Sequence, residues 1–357
     1  MNIITLLTAF FVLSSCSSSP TSYQKSTNTD SINIAMLLST EQEQKLITQG
    51  LKQHKNPNRK LNIKSYILDN NIDEIMKNVT SHDPNIILGP VFSKDTKQAA
   101  SIAKDTPIIS LSNDPNIAGG NVYAFGHRAL EQTEAILGYL KTNDTKNFIL
   151  LLPSNQKSKS LERLISNMLV KSNLALIKTE YYTLNQNNLD KTMRSILEIV
   201  DTLNDDPVNI AKPAIYISDE PENLSILFDA FRQYSLDYKA IICGENKIDI
   251  IYPNPIDLTF PGSVKPVPGF QNEHLTLKDR MYFDLGLLTG YAIGNESSDK
   301  KEFLNKINEP SGYVGIGGLI KFERQVAHRK YDIIQRKGFV YHTAHLQHNK
   351  LKTIPPQ

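Results

Sequence analysis

The sequence predicts an α/β protein of two lobes, each built on a mostly parallel sheet covered by helices. Three observations carry this. From Ile32 onward, short apolar runs alternate with stretches of helical period, and such alternation means parallel strands joined by crossover helices. The alternation falls into two runs, one before Gly126 and one after it. The chain has 357 residues, enough for two units of ordinary size.

In the first run, "INIAMLL", Ile32 to Leu38, reads as a buried strand. Thr40 and Glu43 fit a capping box that opens a helix with Leu46, Ile47 and Leu51 on one face. Ile63 to Leu68 is a second strand, and Ile72, Ile75, Met76 and Val79 share a helical face. "NIIL", Asn85 to Leu88, is a third strand, ended by Gly89-Pro90. A helix follows from Ser93 through Ala99, Ala100 and Ala103. "PIISL", Pro107 to Leu111, is a fourth strand, and Val122 to Phe125 a fifth.

The second run repeats the pattern: a helix over about Ala129 to Leu140, the strand "FILLL" at Phe148 to Leu152, a helix at Leu161 to Val170, then an extended stretch from Leu174 to Tyr182. Leu189 to Leu203 is an amphipathic helix, Ala214 to Ile217 a strand, Asn223 to Tyr234 a helix and Lys239 to Ile242 a strand. Beyond Cys243, "IYPNPIDLTFPGSVKPVPGF" is proline-rich and reads as connecting loop. A long helix from about Leu277 to Ile293 follows, and the segment from Gly317 to His342 reads as two or three short antiparallel strands.

The N-terminal segment has its own logic. "IITLLTAFFVL", Ile3 to Leu13, is shorter than the ~20 residues of a membrane span and suits the apolar core of a secretion signal. Leu13-Ser14-Ser15-Cys16 resembles the lipobox of bacterial lipoproteins, in which the cysteine sulfur takes a diacylglycerol. Residues 1–15 are therefore expected to be a signal peptide and Cys16 the lipidated first residue of the mature chain. Residues 16–30, nearly all Ser, Thr, Asn and Gln, are a flexible tether, because so polar a segment cannot bury enough surface to fold. Ser17 after the cysteine suits sorting to the outer membrane, as known for that class. The expected location is the periplasmic face of the cell envelope.

Charge narrows the function classes. The net charge is +2, without the basic excess of a nucleic-acid binder. The only other cysteine is Cys243, so an acylated Cys16 leaves no intramolecular disulfide, and Cys243 reads as a small buried apolar residue. No cofactor or metal is expected. His342, His345 and His348 do not share one face of a strand or helix as zinc ligands would. Gly315-Ile316-Gly317-Gly318 precedes a strand rather than a helix, so it is not a phosphate loop.

The run "IILGPVFSKDTKQAASIAKDTPIISLSND", Ile86 to Asp114, resembles the type I periplasmic binding proteins of the leucine-binding kind: strand, Gly-Pro, a serine-bearing loop, helix, then a "PIIS" strand. "GLIKF", Gly318 to Phe322, resembles their near-C-terminal hairpin. The resemblance covers about Ile32 to Tyr341. Within that superfamily the chain is similar in particular to the penicillin-binding protein activators, lipoproteins that regulate peptidoglycan synthases. The resemblance implies two Rossmann-like lobes joined by three crossovers around a central cleft. Lobe one is expected at 31–125 plus 250–309, lobe two at 126–249 plus 310–345, and a tail at 346–357.

In such sheets ligands sit beyond the carboxyl ends of the strands, which makes Ser93, Ser112 and Asn113 candidates on lobe one and Asp219 and Glu245 candidates on lobe two. The family's amino-acid receptors hold a ligand carboxylate with hydroxyls and helix N-terminal amides. Ser93 matches the loop serine, although a serine there also serves as a plain helix N-cap. Asn113 departs from the usual threonine, and "SNQKSKS" after "FILLLP" lacks the aromatic that relatives carry. Two readings follow. One is a non-enzymatic regulator that acts by protein contact on a bifunctional penicillin-binding protein. The other is a solute receptor of a transporter for amino acids or similar small anions. The hairpin Lys321 to Lys337, with six Lys or Arg against Glu323 and Asp332, is the candidate docking face for a protein partner.

Overall fold

The computed structural model describes residues 31–53, 60–69, 71–250, 252–271, 273, 275–294 and 300–344. Its elements in order are β1 (Ile32–Leu38), α1 (Glu41–Gln53), β2 (Leu61–Ile67), α2 (Ile72–Thr80), β3 (Ile86–Leu88), α3 (Ser93–Ala103), β4 (Ile108–Ser110), β5 (Val122–Ala124), α4 (Ala129–Thr142), β6 (Asn147–Pro153), α5 (Gln156–Ser172), β7 (Ala175–Tyr182) and α6 (Gln186–Asp205). There follow β8 (Ala214–Ile217), α7 (Pro221–Gln233), α8 (Leu236–Lys239), β9 (Ile241–Gly244), β10 (Leu258–Gly262), α9 (Leu277–Ile293), α10 (Lys300–Ile307), β11 (Tyr313–Gly315), β12 (Gly318–Glu323), β13 (Val326–Lys330), β14 (Asp332–Lys337) and β15 (Val340–Ala344). The predicted signal peptide, Cys16, the tether and the tail lie outside the described residues.

Two sheets form two lobes. The first runs β11-β12-β13-β5-β4-β3-β1-β2 and the second β15-β14-β10-β9-β8-β6-β7. Strands β1 to β5 are mutually parallel, as are β6 to β10. Antiparallel strands complete each sheet late in the chain. The central strands are apolar on both faces because helices cover both, and each lobe carries an apolar cluster on either side of its sheet. Among the described residues no helix is long and apolar enough to cross a membrane.

Sheet membership corrects the expected lobe boundaries. Strand β10 belongs to the second sheet, inside the proline-rich stretch read as loop, and β11 to β13 belong to the first. The chain therefore passes between lobes at residues 125–128, at 263–276 and at Tyr331. Pro261 is tolerated in β10 because that strand meets β9 only at Thr259–Cys243, so no ladder there needs its missing N–H.

The capping box opening α1 is present: Glu43 N donates to Thr40 Oγ1 at 3.2 Å and Thr40 N to Glu43 Oε2 at 3.3 Å. The other Glu43 oxygen accepts from Tyr282 OH on α9 at 2.6 Å, so the cap also fastens α1 to α9. The two helices touch backbone to backbone. A Cβ at Gly50 would lie 2.2 Å from Phe283 O, and one at Gly286 would lie 2.1 Å from Ile47 O. Neither carbonyl can move without breaking its helix. We expect Gly286→Ala to destabilise the fold by about 1–3 kcal/mol, the usual range for overpacking, read from the shift in urea midpoint. A loss below about 0.5 kcal/mol would contradict the contact.

Candidate functional site

The candidate cleft residues lie at the carboxyl ends of the strands. In lobe one the chain turns sharply after β3. Gly89 has φ +91°, and a Cβ there would lie 2.0 Å from Leu37 O on β1; this close approach explains the glycine of the Gly-Pro signature. Helix α3 then begins at Ser93, with Phe92 in the N-cap position. The Ser93 hydroxyl does not cap the helix. It lies 2.8 Å from Ser112 Oγ beyond β4. One turn deeper, Thr96 Oγ1 is 2.8 Å from Ser110 Oγ, and Ser110 donates to Pro90 O at 3.1 Å. Ser112 Oγ also accepts from Asp114 N at 3.2 Å. The hydroxyls form a ladder that pins the α3 turn to the end of β4. Ser112 is 4% exposed, whereas Ser93 is half-buried and Asn113 exposed. Phe92, 62% exposed, is an aromatic beside Ser93 that the sequence reading passed over; its signal was an apolar residue inside the Gly-Pro-to-Ser loop.

Lobe two is more self-contained. Asp219, after β8, is buried. One oxygen accepts from Tyr182 OH; the other accepts from Glu220 N at 2.7 Å and Asn223 Nδ2 at 3.1 Å. Asp219 thus organises the start of α7, and its hydrogen-bonding capacity is largely taken. Glu245, after β9, accepts from Ser218 Oγ at 3.3 Å and is half-buried. In "SNQKSKS" Asn155 caps α5, accepting from Ser158 N at 2.9 Å.

The residues that join the lobes were not singled out from sequence. His127 Nε2 is 3.0 Å from Leu277 O, and its Nδ1 is 2.9 Å from Tyr331 OH. A carbonyl only accepts, so Nε2 carries the hydrogen and Nδ1 accepts from the tyrosine. His127 lies on the first crossing, Leu277 ends the second, and Tyr331 is the third. Asn246 extends the knot: its Oδ1 accepts from Leu277 N at 3.0 Å, its Nδ2 donates to Pro261 O at 3.0 Å, and its N donates to Gln132 Oε1 at 2.8 Å. Glu131 of α4 lies 3.1 Å from His328 Nδ1 on β13, and Arg128 donates to both.

Two buried charges support the same region. Arg329 is 6% exposed; its guanidinium lies 4.2 Å from the Phe125 ring centroid, and Nη1 donates to Gly126 O at 3.4 Å. Asp284 of α9 accepts from Ile316 N at 2.6 Å and Gly317 N at 2.8 Å. A Cβ at Gly315 would lie 2.5 Å from that carboxylate. The Gly315–Gly318 turn is therefore an anion cradle whose anion is internal. The candidate docking hairpin is corrected here as well. Arg329 is spent on the hinge, and Arg336, 3% exposed, pairs with Asp249 at 2.9 Å, so neither is free to meet a partner. Among the described residues no three His, Cys, Asp or Glu converge as a metal site, and His345 and His348 lie outside them. Cys243 is fully buried, and burial pushes its thiol pKa up.

Two lobes, each a mostly parallel sheet flanked by helices, joined by three crossings define the type I periplasmic-binding-protein fold, and comparison with solved structures agrees. A branched-chain amino acid transporter ligand-binding protein of Burkholderia xenovorans superposes with a TM-score of 0.69 at 10% identity, over 88% of this chain and 94% of that one. A putative branched-chain amino acid transporter protein of Rhodospirillum rubrum gives 0.68 at 11% identity, over 88% and 99%. LpoA of Haemophilus influenzae, a penicillin-binding protein activator, gives 0.61 at 12% identity, over 88% of this chain and 59% of that one. No family model matches the sequence. The chain belongs to the family of the "uncharacterized protein RP748" of Rickettsia prowazekii (strain Madrid E), to which it is 34% identical over 285 residues, 77% of this chain and 76% of that one.

The hinge makes stability depend on pH in two opposed ways. Burial, then the nearby Arg329, hold the His127 pKa well below 6.5, against the Leu277 hydrogen bond. Its contribution is full above about 6.5 and is lost as pH falls toward the folded-state pKa. Burial raises Asp284 from 3.8 to about 6, against the pull of the two amides, Arg329 and Arg280. Its contribution is full below about 3.8 and is lost as pH rises through about 6. We expect the stability gap between wild type and His127→Gln to shrink as pH falls below about 6.5. The gap to Asp284→Asn should shrink as pH rises through about 6. Urea midpoints across pH 4–8 check both; gaps of constant size would refute the assignment.

Proposed function

We propose that this protein works by binding rather than catalysis, as an envelope lipoprotein anchored through Cys16, and that its partner is a bifunctional penicillin-binding protein whose peptidoglycan synthesis it regulates. The observation that supports this reading is the state of the cleft residues. Asp219 is already bonded by Tyr182, Glu220 and Asn223; Ser112 is already bonded by Ser93 and Asp114. A free amino acid would have to displace these contacts to win its own, which leaves little net gain. The loop after β6 offers it no aromatic cover. A tethered protein has a raised effective concentration for a partner in the envelope, and it biases that partner by binding its active form more tightly.

The second reading, a solute receptor for amino acids or similar small anions, is favoured by one observation: the fold match spans 94–99% of the two branched-chain proteins named above. Calorimetry against the common amino acids, with affinity capture and synthesis assays on a bifunctional penicillin-binding protein, separates the two. The expected outcome is capture of the synthase with a raised synthesis rate, and amino-acid binding weaker than micromolar. A sub-micromolar amino acid whose binding fails in Ser93→Ala, with no capture, would overturn the regulator. For the anchor, Cys16→Ala should move the protein from the membrane fraction to the soluble one; a mutant that stays membrane-bound would overturn the lipid.

A further inference from the structure

A cavity of about 570 Å³ lies in lobe one, away from the cleft, between β1, β2 and the end of α2. Its origin is a mismatch of lengths. Strand β2 has 7 residues, or ~23 Å; helix α2 has 9, or ~14 Å. The helix starts beyond the carboxyl end of β2 and stops short, leaving the amino-terminal half of the strand uncovered. The two faces of β2 differ accordingly. Leu61 and Ile63 pack with the core under α1 and α9. Tyr66 packs toward α2, and Asn62 and Lys64 share its face by the two-residue period. Where a covered strand would carry apolar side chains, this one carries an amide, a cation and a phenol.

The apolar part of the cavity lining is Ala35 and Val79, both buried, with Ile34, Leu61, Ile63 and Pro84. Its polar rim is held in place from behind. Asn33 Nδ2 donates to His82 O at 3.2 Å, and its Oδ1 accepts from Asn62 Nδ2 at 3.1 Å. His82 Nδ1 lies 2.7 Å from Asn78 O. That nitrogen carries the hydrogen, so Nε2 is left as an acceptor. Asn62 Oδ1 is another acceptor, Lys64 is a donor, and the Tyr66 hydroxyl, 3.4 Å from His82 Nδ1, both donates and accepts. Lys64 is the one formal charge among the described residues lining the space, and it forms no ion pair with any described residue.

We propose that this cavity binds a pyranose ring bearing a carboxylate. The volume is that of a small-ligand site. A rim that carries both donors and acceptors matches sugar hydroxyls, which are both. Tyr66 and His82 supply aromatic side chains to the lining, and the uncompensated Lys64 calls for an anion. A purely apolar ligand would bury these polar groups without partners, at a cost of roughly 1–3 kcal/mol each.

The test is titration of the whole mature chain with methyl β-D-glucuronide and N-acetylmuramic acid, against their neutral counterparts methyl β-D-glucoside and N-acetylglucosamine, and against acetate. Calorimetry gives affinity, and the His82 imidazole signals in NMR, assigned by loss in His82→Gln, report the place. We expect saturable binding of at least one acidic sugar, at least tenfold tighter than its neutral counterpart and than acetate, with movement of the His82 signals. Lys64→Gln should bring the acidic sugar to the neutral level, and Tyr66→Leu should weaken both. Both side chains are at least partly solvent-exposed, and circular dichroism checks that the variants fold. The proposal is overturned by no binding of either acidic sugar, by equal binding of acidic and neutral forms, by acetate binding as tightly as the sugars, by unmoved His82 signals, or by an unchanged affinity in Lys64→Gln.

Discussion

Three segments pass between the lobes, and the His127 imidazole sits on one of them and bonds to the other two. The arrangement works only while the ring is neutral. Protonation would put a hydrogen on Nδ1, where Tyr331 now donates, and would add a cation near Arg329. Burial prevents this by making the charged ring costly. Asn246, just after β9, repeats the pattern, using both ends of its amide and its backbone N–H to join the end of β10, the start of α9 and helix α4. Each bond is worth only ~1 kcal/mol net, but together they tie all three crossings to one another. The position of one lobe on the other thus follows from a small set of polar side chains at the axis.

The same region shows how the fold contains its own charges. Asp284 lies in the middle of a helix that is buried along most of its length, beyond the charged first turn at Lys278, Asp279 and Arg280. Two consecutive amides meet it, and glycines at 315 and 317 leave room for it. The physics is that of a phosphate-binding loop, with the anion supplied by the chain itself. Arg329 faces the same space, stacked on Phe125. Gly126 presses on the Ser112 and Asn113 backbone, where a Cβ would lie 2.4–2.5 Å away. The cleft lip of lobe one and the hinge are therefore one packed unit, and a change at either is felt at the other.

Most of the parallel strands and their helices were legible, because an apolar run of four to seven residues between polar punctuation has few alternatives. The two-lobe architecture was legible for the same reason, with a break at Gly126. The return strands were not. Nothing local tells β10 from a loop, since prolines flank and interrupt it and one neighbour is joined at a single residue pair. Nor does local pattern assign β12 and β13 to one sheet and β14 to the other; that depends on Tyr331 crossing the hinge, a long-range fact. At the site, Ser93 and Ser112 were legible from the spacing of a Gly-Pro loop and a "PIIS" strand, and they do meet. His127 and Asn246 were not, because their partners lie 150 and 31 residues away. Arg329 and Arg336 misled for the opposite reason. Basic residues on a short hairpin read as a docking face, and these two are folded inward as structural donors.

A binding cleft and a stable domain make opposite demands on the same polar groups. A receptor must keep hydroxyls and carboxylates unsatisfied until its ligand arrives, and it bears the cost of holding them so. Here the Asp219 oxygens and the buried Ser112 hydroxyl have partners already. What remains open at the lips is Asn113, the free valence of Ser93, and the face of Phe92, a large aromatic at 62% exposure. Exposed aromatics beside polar loops contribute most when a partner surface excludes water from them. A small ligand deep in the cleft would leave Phe92 wet, whereas a protein surface laid across the lips would cover it. Phe92 and Ser93 stay accessible at the end of lobe one, whereas Arg329 and Arg336 of the basic hairpin are buried in the fold.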